Sequence, residues 1–299
     1  MPPATSVSPP ILFFVTRKLV IGYKMNETID NNQINIGINV DRLTLAVLIL
    51  CVGFEISFVL LDIFINYNEL TDSKTIHRFF NIAREDSLAS WFGTMQTFMV
   101  GLTLWLIFFV QKHGRASKKA IFGWCMLALF FTYMAVDDGA EIHERLGTIF
   151  EAISEAKTAP GESPSWISGL ITFFPSYPWQ ILFIPFFGTA GIFILIFLWY
   201  QLRPGTAKVL VILALTCFVI AVGLDFIEGL DKKHPWNFHT RIRHTYHLDK
   251  YTVRHFSKSA EEFLEMFGIT LFWSAFIQYF KLLPEKGVRF FAAGKNKAR

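Results

Sequence analysis

Six stretches of this chain, residues 43–65, 88–110, 120–136, 181–202, 209–230 and 263–280, approach or meet the length at which an apolar helix crosses a membrane. A hydrocarbon core of roughly 30 Å needs about twenty helical residues, and lipid offers the backbone no hydrogen-bond partner outside its own helix. The fold class that follows is all-α, a polytopic membrane helical bundle with about six transmembrane helices. Composition agrees: 53% of the 299 residues are hydrophobic and 33 are Phe, more apolar side chains than a soluble core of this length uses. A further apolar run, 166–174, is too short to span and is bounded by Pro164 and Pro175, so it reads as an interfacial or re-entrant piece.

The remaining composition excludes several classes. Cys51, Cys125 and Cys217 all lie in apolar segments without a Cys-x-x-Cys pair, so they carry no disulfide framework. The net charge of +4 is small and its basic residues sit mostly between apolar segments, which fits membrane topology and argues against a nucleic-acid partner. In the first 42 residues, Pro-rich and then Asn-rich, Arg17 and Lys18 follow the short apolar run 11–15 instead of preceding it. A cleaved signal is therefore not expected. The expected organisation is a disordered cytoplasmic tail over 1–42, a six-helix domain over 43–283 and a basic cytoplasmic tail over 284–299.

Lys and Arg in the short connections set the orientation. Lys112, Arg115, Lys118 and Lys119 crowd one loop, and the C-terminal tail is basic, so both termini are expected in the cytoplasm of a cell in whose plasma membrane the chain sits. The longer loop between the fifth and sixth spans carries seven basic residues on the opposite side, but long loops obey the rule less strictly. Along the second span Gly93, Thr97 and Gly101 recur every four residues, a small-residue face that admits another backbone, and Gly188 and Gly191 offer a similar face in the fourth.

The third apolar stretch runs straight into VDDGAEIHERLG, residues 136–147. Asp62 ends the first span, Glu85 and Asp86 precede the second, and Asp225, Glu228 and Asp231 end the fifth, while Glu261, Glu262 and Glu265 begin the sixth. With antiparallel crossings, these acid-bearing ends share one membrane face. On a continuous helix Asp137, Glu141 and Glu144 fall within an arc of roughly 60°, whereas His143 points about 160° away from Glu141. Glu55 sits near mid-span, where an ionised side chain costs at least about 2.5 kcal/mol, so it must be protonated, paired or wet.

Carboxylates converging from several helices suit a divalent metal ion, whose charge oxygen ligands offset, and partly resemble the di-metal carboxylate bundles. The candidate metal ligands are Glu141, Glu144, Glu228, Glu262 and Glu265. Asp137 or Glu261 is the candidate general base, and His143 a ligand or proton shuttle. His234, His239, His244, His247 and His255 fit a loop resting on anionic head groups better than a histidine metal site. No desaturase histidine box, H-E-x-x-H, G-x-G-D, G-x-S-x-G or Gly-rich phosphate loop occurs.

The blocks FFNIAREDSLASWFG (79–93), YMAVDDGAEIHERLG (133–147), LDFIEGL (224–230) and SAEEFLEMFGI (259–269) resemble those of a prokaryotic multipass membrane family of uncharacterised activity. Its pattern is R-E with W-F, D-E with H-E, and E-E-x-x-E-M-x-G; here Asp138 stands for the second acid of the D-E pair. The resemblance implies that these blocks matter and implies no reaction. The function expected is metal-assisted chemistry on a lipid-like substrate among membrane lipids. The rivals are cation or proton transport, in which Glu55 and Asp62 extend the acidic chamber inward, and a structural subunit of a membrane complex.

Overall fold

A computed structural model describes residues 39–114, 116–156 and 166–283. The C-terminal tail, Arg115 and nearly all of the N-terminal tail lie outside them. The chain divides into Met1–Asn39 and Val40–Arg299, and the second unit carries every helix named here. Among the described residues there is no strand.

The first span is α1 (Val40–Leu61), which continues as a π-helix over Asp62–Tyr67. A short α2 (Lys74–Phe80) leads to α3 (Leu88–His113) and α4 (Lys118–Ala140). Next come α5 (Ile142–Ala156) and α6 (Trp166–Phe173), then α7 (Pro178–Gln201) and α8 (Thr206–Glu228). The short α9 (Phe238–Tyr246) precedes α10 (Lys250–Tyr279) and a closing 3₁₀ turn over Phe280–Leu282. Six of these units are long and apolar enough to cross a membrane, and α6 is too short, as its flanking prolines predict.

The helix starts have local causes. Ser87, Ser117, Asn237 and Asp249 each accept a backbone N–H three residues on, filling an otherwise orphaned donor at the starts of α3, α4, α9 and α10. Pro178 opens α7, where a missing N–H costs nothing. Pro185 lies inside the same helix and removes one of its hydrogen bonds.

The last span begins at Lys250, well before residue 263. Apolarity alone misses its first turns because their polar residues find partners on neighbouring helices. At about 1.5 Å per residue the 30 residues of α10 run about 45 Å, longer than a bilayer core. It is the central helix, packed against α8, α1 and α3, while α3 pairs with α4 and α5 packs on α7.

Trp124, Phe131, Phe272 and Phe276 form the heart of the apolar core with Leu104, Ile107 and Leu127. The outer faces are apolar too: Ile49, Leu50, Phe54, Ile192, Ile196 and Val219 are exposed. In water such a surface would be untenable, and in lipid it is the solvent-facing side. The small-residue face on α3 works as expected, since a Cβ on Gly101 would lie 3.3 Å from Thr132 Oγ1 on α4. Gly188 and Gly191 do not repeat it. Nothing lies within 4 Å of a Cβ on Gly188, and Gly191 reaches only the end of Leu215. Closer approaches between spans occur at Gly123, against the Phe197 ring, and at Gly268, against Phe218 and the Ala214 carbonyl.

Candidate functional site

The site grows from a break in the chain. α4 stops at Ala140 because Glu141 adopts the left-handed region, φ 52° and ψ 40°, which non-glycine residues rarely occupy. A new helix starts at Ile142, so the angles of a continuous helix do not apply past residue 140. The Asp137 carboxylate spans the break. Its Oδ1 accepts the His143 backbone N–H at 2.9 Å, and His143 Nδ1 donates to its Oδ2 at 2.9 Å. The His143 ring also meets Trp179 of α7 edge-on, with centroids 4.8 Å apart.

Behind this break lies a chamber of about 60 Å³. Eight carboxylates line it: Glu85 ahead of α3, Asp138 at the end of α4, Glu141 and Glu144 at the break, Asp225 of α8, and Glu261, Glu262 and Glu265 of α10. Lys258 stands among them, its Nζ 2.7 Å from Glu261 Oε1 and 3.4 Å from Glu262 Oε1. His143 closes one wall. Two acids are partly satisfied by neutral donors, Asp138 by Thr94 Oγ1 at 2.6 Å and Asp225 by Gln180 Nε2 at 2.7 Å. Glu261 is 3% exposed, and its Oε2 has no partner among the described residues.

A wider basin of about 500 Å³ adjoins the chamber and shares Glu144, Trp179, Asp225 and Lys258 with it. Its rim holds Glu228, whose Oε1 accepts from Arg254 Nε at 2.9 Å, Arg254 Nη2 at 2.7 Å and Tyr177 O–H at 3.3 Å. Glu228 thus belongs to the basin, paired with arginine, while Glu141, Glu144, Glu262 and Glu265 share the chamber. Asp137 backs His143 and does not line the chamber.

Outside the spans the electrostatics follow from burial. Burial, and then Glu262, pushes the Glu85 carboxyl up to about 7, with Glu144 and Glu141 adding and Lys258 opposing. Burial disfavours the charged form of His143, but the Asp137 carboxylate outweighs it and raises its pKa. Burial, and then Glu228, raises Tyr177 to about 12. On the surface, hydrogen bonds from Arg78 and Arg84 hold Asp86 down at about 2.

Hard oxygen donors of this kind fit a divalent cation chemically. Among the described residues, however, no three His, Cys, Asp or Glu side chains already stand in an arrangement that holds a metal ion.

Several residues here escape a reading by composition. Lys258, counted with the loop bases, is the chamber's internal cation, and its spacing to Glu261 and Glu262 was the available signal. His255 is buried: its Nε2 lies 2.8 Å from Asp62 Oδ2, which also accepts from Ser259 Oγ at 3.3 Å, while Asn66 donates to Oδ1 at 2.9 Å. Asp62 therefore ties the π-turn of α1 to α10 and lies apart from the chamber. Nothing in the sequence pairs residues 62 and 255.

Searches of curated proteins and of solved structures find no match to this chain. A family model matches residues 42–280, which include every helix that lines the chamber, and the chain belongs to that family, described as a domain of unknown function (DUF8692).

Proposed function

We propose that this protein is an integral membrane enzyme acting on the head group of a lipid-like amphiphile, with a divalent cation drawn into the carboxylate chamber. One observation carries the reading: a basin wide enough for a head group shares four residues with a chamber that sets eight carboxylates against one lysine. So many acids in so small a volume require protons or a bound cation as counter-charge. Glu141, Glu144, Glu262 and Glu265 are the residues to hold that cation, and their outward rearrangement from Lys258 would complete the ligand set. A hard cation there supplies Lewis-acid polarisation of a substrate oxygen. His143, fixed at Nδ1 by Asp137, turns its other nitrogen into a proton acceptor, and Glu261 Oε2 is a second acceptor.

The six spans put the three longer connections on the chamber side and the two short ones opposite. Exposed Lys112 in the last turn of α3 and Lys118 and Lys119 in the first turn of α4 flank a short connection, which supports cytoplasmic termini and, in a plasma membrane, a basin that faces outward among membrane lipids.

Elemental analysis of protein purified in mild detergent without chelators tests the proposal. Stoichiometric divalent metal in the wild type, lost in Glu144→Gln and in Glu265→Gln, is expected. Normal retention in both variants defeats the ligand assignment. Cation or proton transport is the second reading, favoured because α10 carries both Glu265 and, five residues on, Thr270, which bonds Glu55. It predicts that Glu55→Gln blocks flux in liposomes and leaves the chamber's metal content intact.

A further inference from the structure

Glu55 lies near the middle of the 40–67 span and is fully buried. Three helices meet at it. Thr270 Oγ1 of α10 donates to Glu55 Oε1 at 2.5 Å, and Gln96 Nε2 of α3 donates to the same oxygen at 3.1 Å and to Thr270 Oγ1 at 2.5 Å. These contacts use the single hydroxyl proton of Thr270 and both amide protons of Gln96. Two oxygens are left over, Glu55 Oε2 and Gln96 Oε1, both buried and both without a partner among the described residues.

Both orphans are acceptors. Rotating the Gln96 amide does not help, because it would set oxygen against Glu55 Oε1 and Thr270 and strand the NH₂ group. Among the described residues no lysine, arginine or histidine forms an ion pair with Glu55. What the cluster lacks is a positive centre, and an unmatched carboxylate in the apolar middle of a bundle is too costly to leave so.

We propose that Glu55, Gln96 and Thr270 form a reversible binding site for one small monovalent cation, either a proton or an alkali-metal ion, in the middle of the helix bundle. The oxygens come from three helices, so occupancy ties α1, α3 and α10 together at one point. The other titratable groups facing it are two buried thiols, Cys51 one turn earlier on α1 and Cys217 of α8. The inference is independent of any reaction in the chamber, because it uses none of the chamber's residues.

Infrared difference spectroscopy on the full chain in lipid nanodiscs tests it. A protonated buried carboxyl gives a C=O stretch absent from the carboxylate, and the Glu55 band is identified by its loss in Glu55→Gln. Thr270→Val provides a second assignment, since losing the hydroxyl donor moves the same band to higher frequency. At acid pH the band is expected. Its reversible loss on raising the pH in sodium-free buffer identifies the proton as the ligand. Loss at constant pH on replacing choline chloride with sodium chloride identifies the alkali-metal ion. A Glu55 band unchanged by both treatments makes the proton a permanent structural one and overturns the proposal, as does the absence of the band at acid pH.

Discussion

Asp137 grips His143 twice, through its backbone N–H and through Nδ1, each at 2.9 Å, across the point where α4 ends and α5 begins. One carboxylate therefore caps the new helix and sets the tautomer of the imidazole that faces the chamber. Replacing Asp137 with Asn leaves burial as the main influence on His143, and its titration midpoint should drop below the ordinary 6.5. The sign for stability follows. A histidine whose folded pKa is raised stabilises fully below the unfolded value and loses that contribution as the pH climbs through the folded value. Thermal unfolding of the wild type against Asp137→Asn should diverge below about pH 6.5 and converge at alkaline pH, with histidine NMR reporting the midpoint.

Glu85 is shifted the opposite way to a stabilising acid. Its carboxyl is raised from 4.5 to about 7 by burial and then Glu262, so between those values the folded chain binds more protons than the unfolded one. Stability should fall as pH rises through that window, by at most about 1.4 kcal/mol per unit from this group. Glu85→Gln should flatten the slope in a melting series in detergent. An unchanged slope would assign the proton to another chamber acid.

Lys258 is the chamber's internal cation, so Lys258→Met keeps the apolar stem and removes the charge that meets Glu261 and Glu262. Loss of one partner of a buried pair costs about 3–5 kcal/mol. The melting temperature should fall, and added magnesium or manganese should restore more of it in the variant than in the wild type. Adding Glu262→Gln to the same chain should recover part of the loss without metal.

Gly147 sets how closely α5 lies on α7. A Cβ there would stand 2.6 Å from Trp179 Cβ and 3.0 Å from the Trp179 backbone nitrogen, and backbone cannot step aside as a flexible side-chain end does. Gly147→Ala should cost about 1–3 kcal/mol. Hydrogen exchange in α5 should speed up while α10 stays protected, because Trp179 walls both cavities and meets His143.

The chamber was half visible in the chain. Glu141, Glu144, Glu262 and Glu265 were legible because each sits at the charged end of an apolar stretch, and chain alternation sends those ends to one membrane face. Glu228 was grouped with them by the same argument, yet Arg254 holds it in the adjoining basin, a pairing between residues 26 apart that alternation does not specify. Asp225 was counted among the acids at the face, but its place in the chamber needed Gln180 of α7 to hold it.

What the sequence determined by itself is everything that depends on period and transfer energy. Six crossings, the shortness of α6, the single face shared by the acids and the cost of Glu55 all follow from apolar run length and the price of charge in lipid. The early start of α10, the turn at Glu141 that redirects His143, and the pairings of Asp62 with His255 and of Glu55 with Gln96 and Thr270 were decided only in three dimensions. Each of these needs a polar group's partner, and that partner comes from another helix. Hydropathy scores a residue alone, whereas a buried polar side chain is stabilised or destabilised by whichever neighbour the packed bundle brings to it.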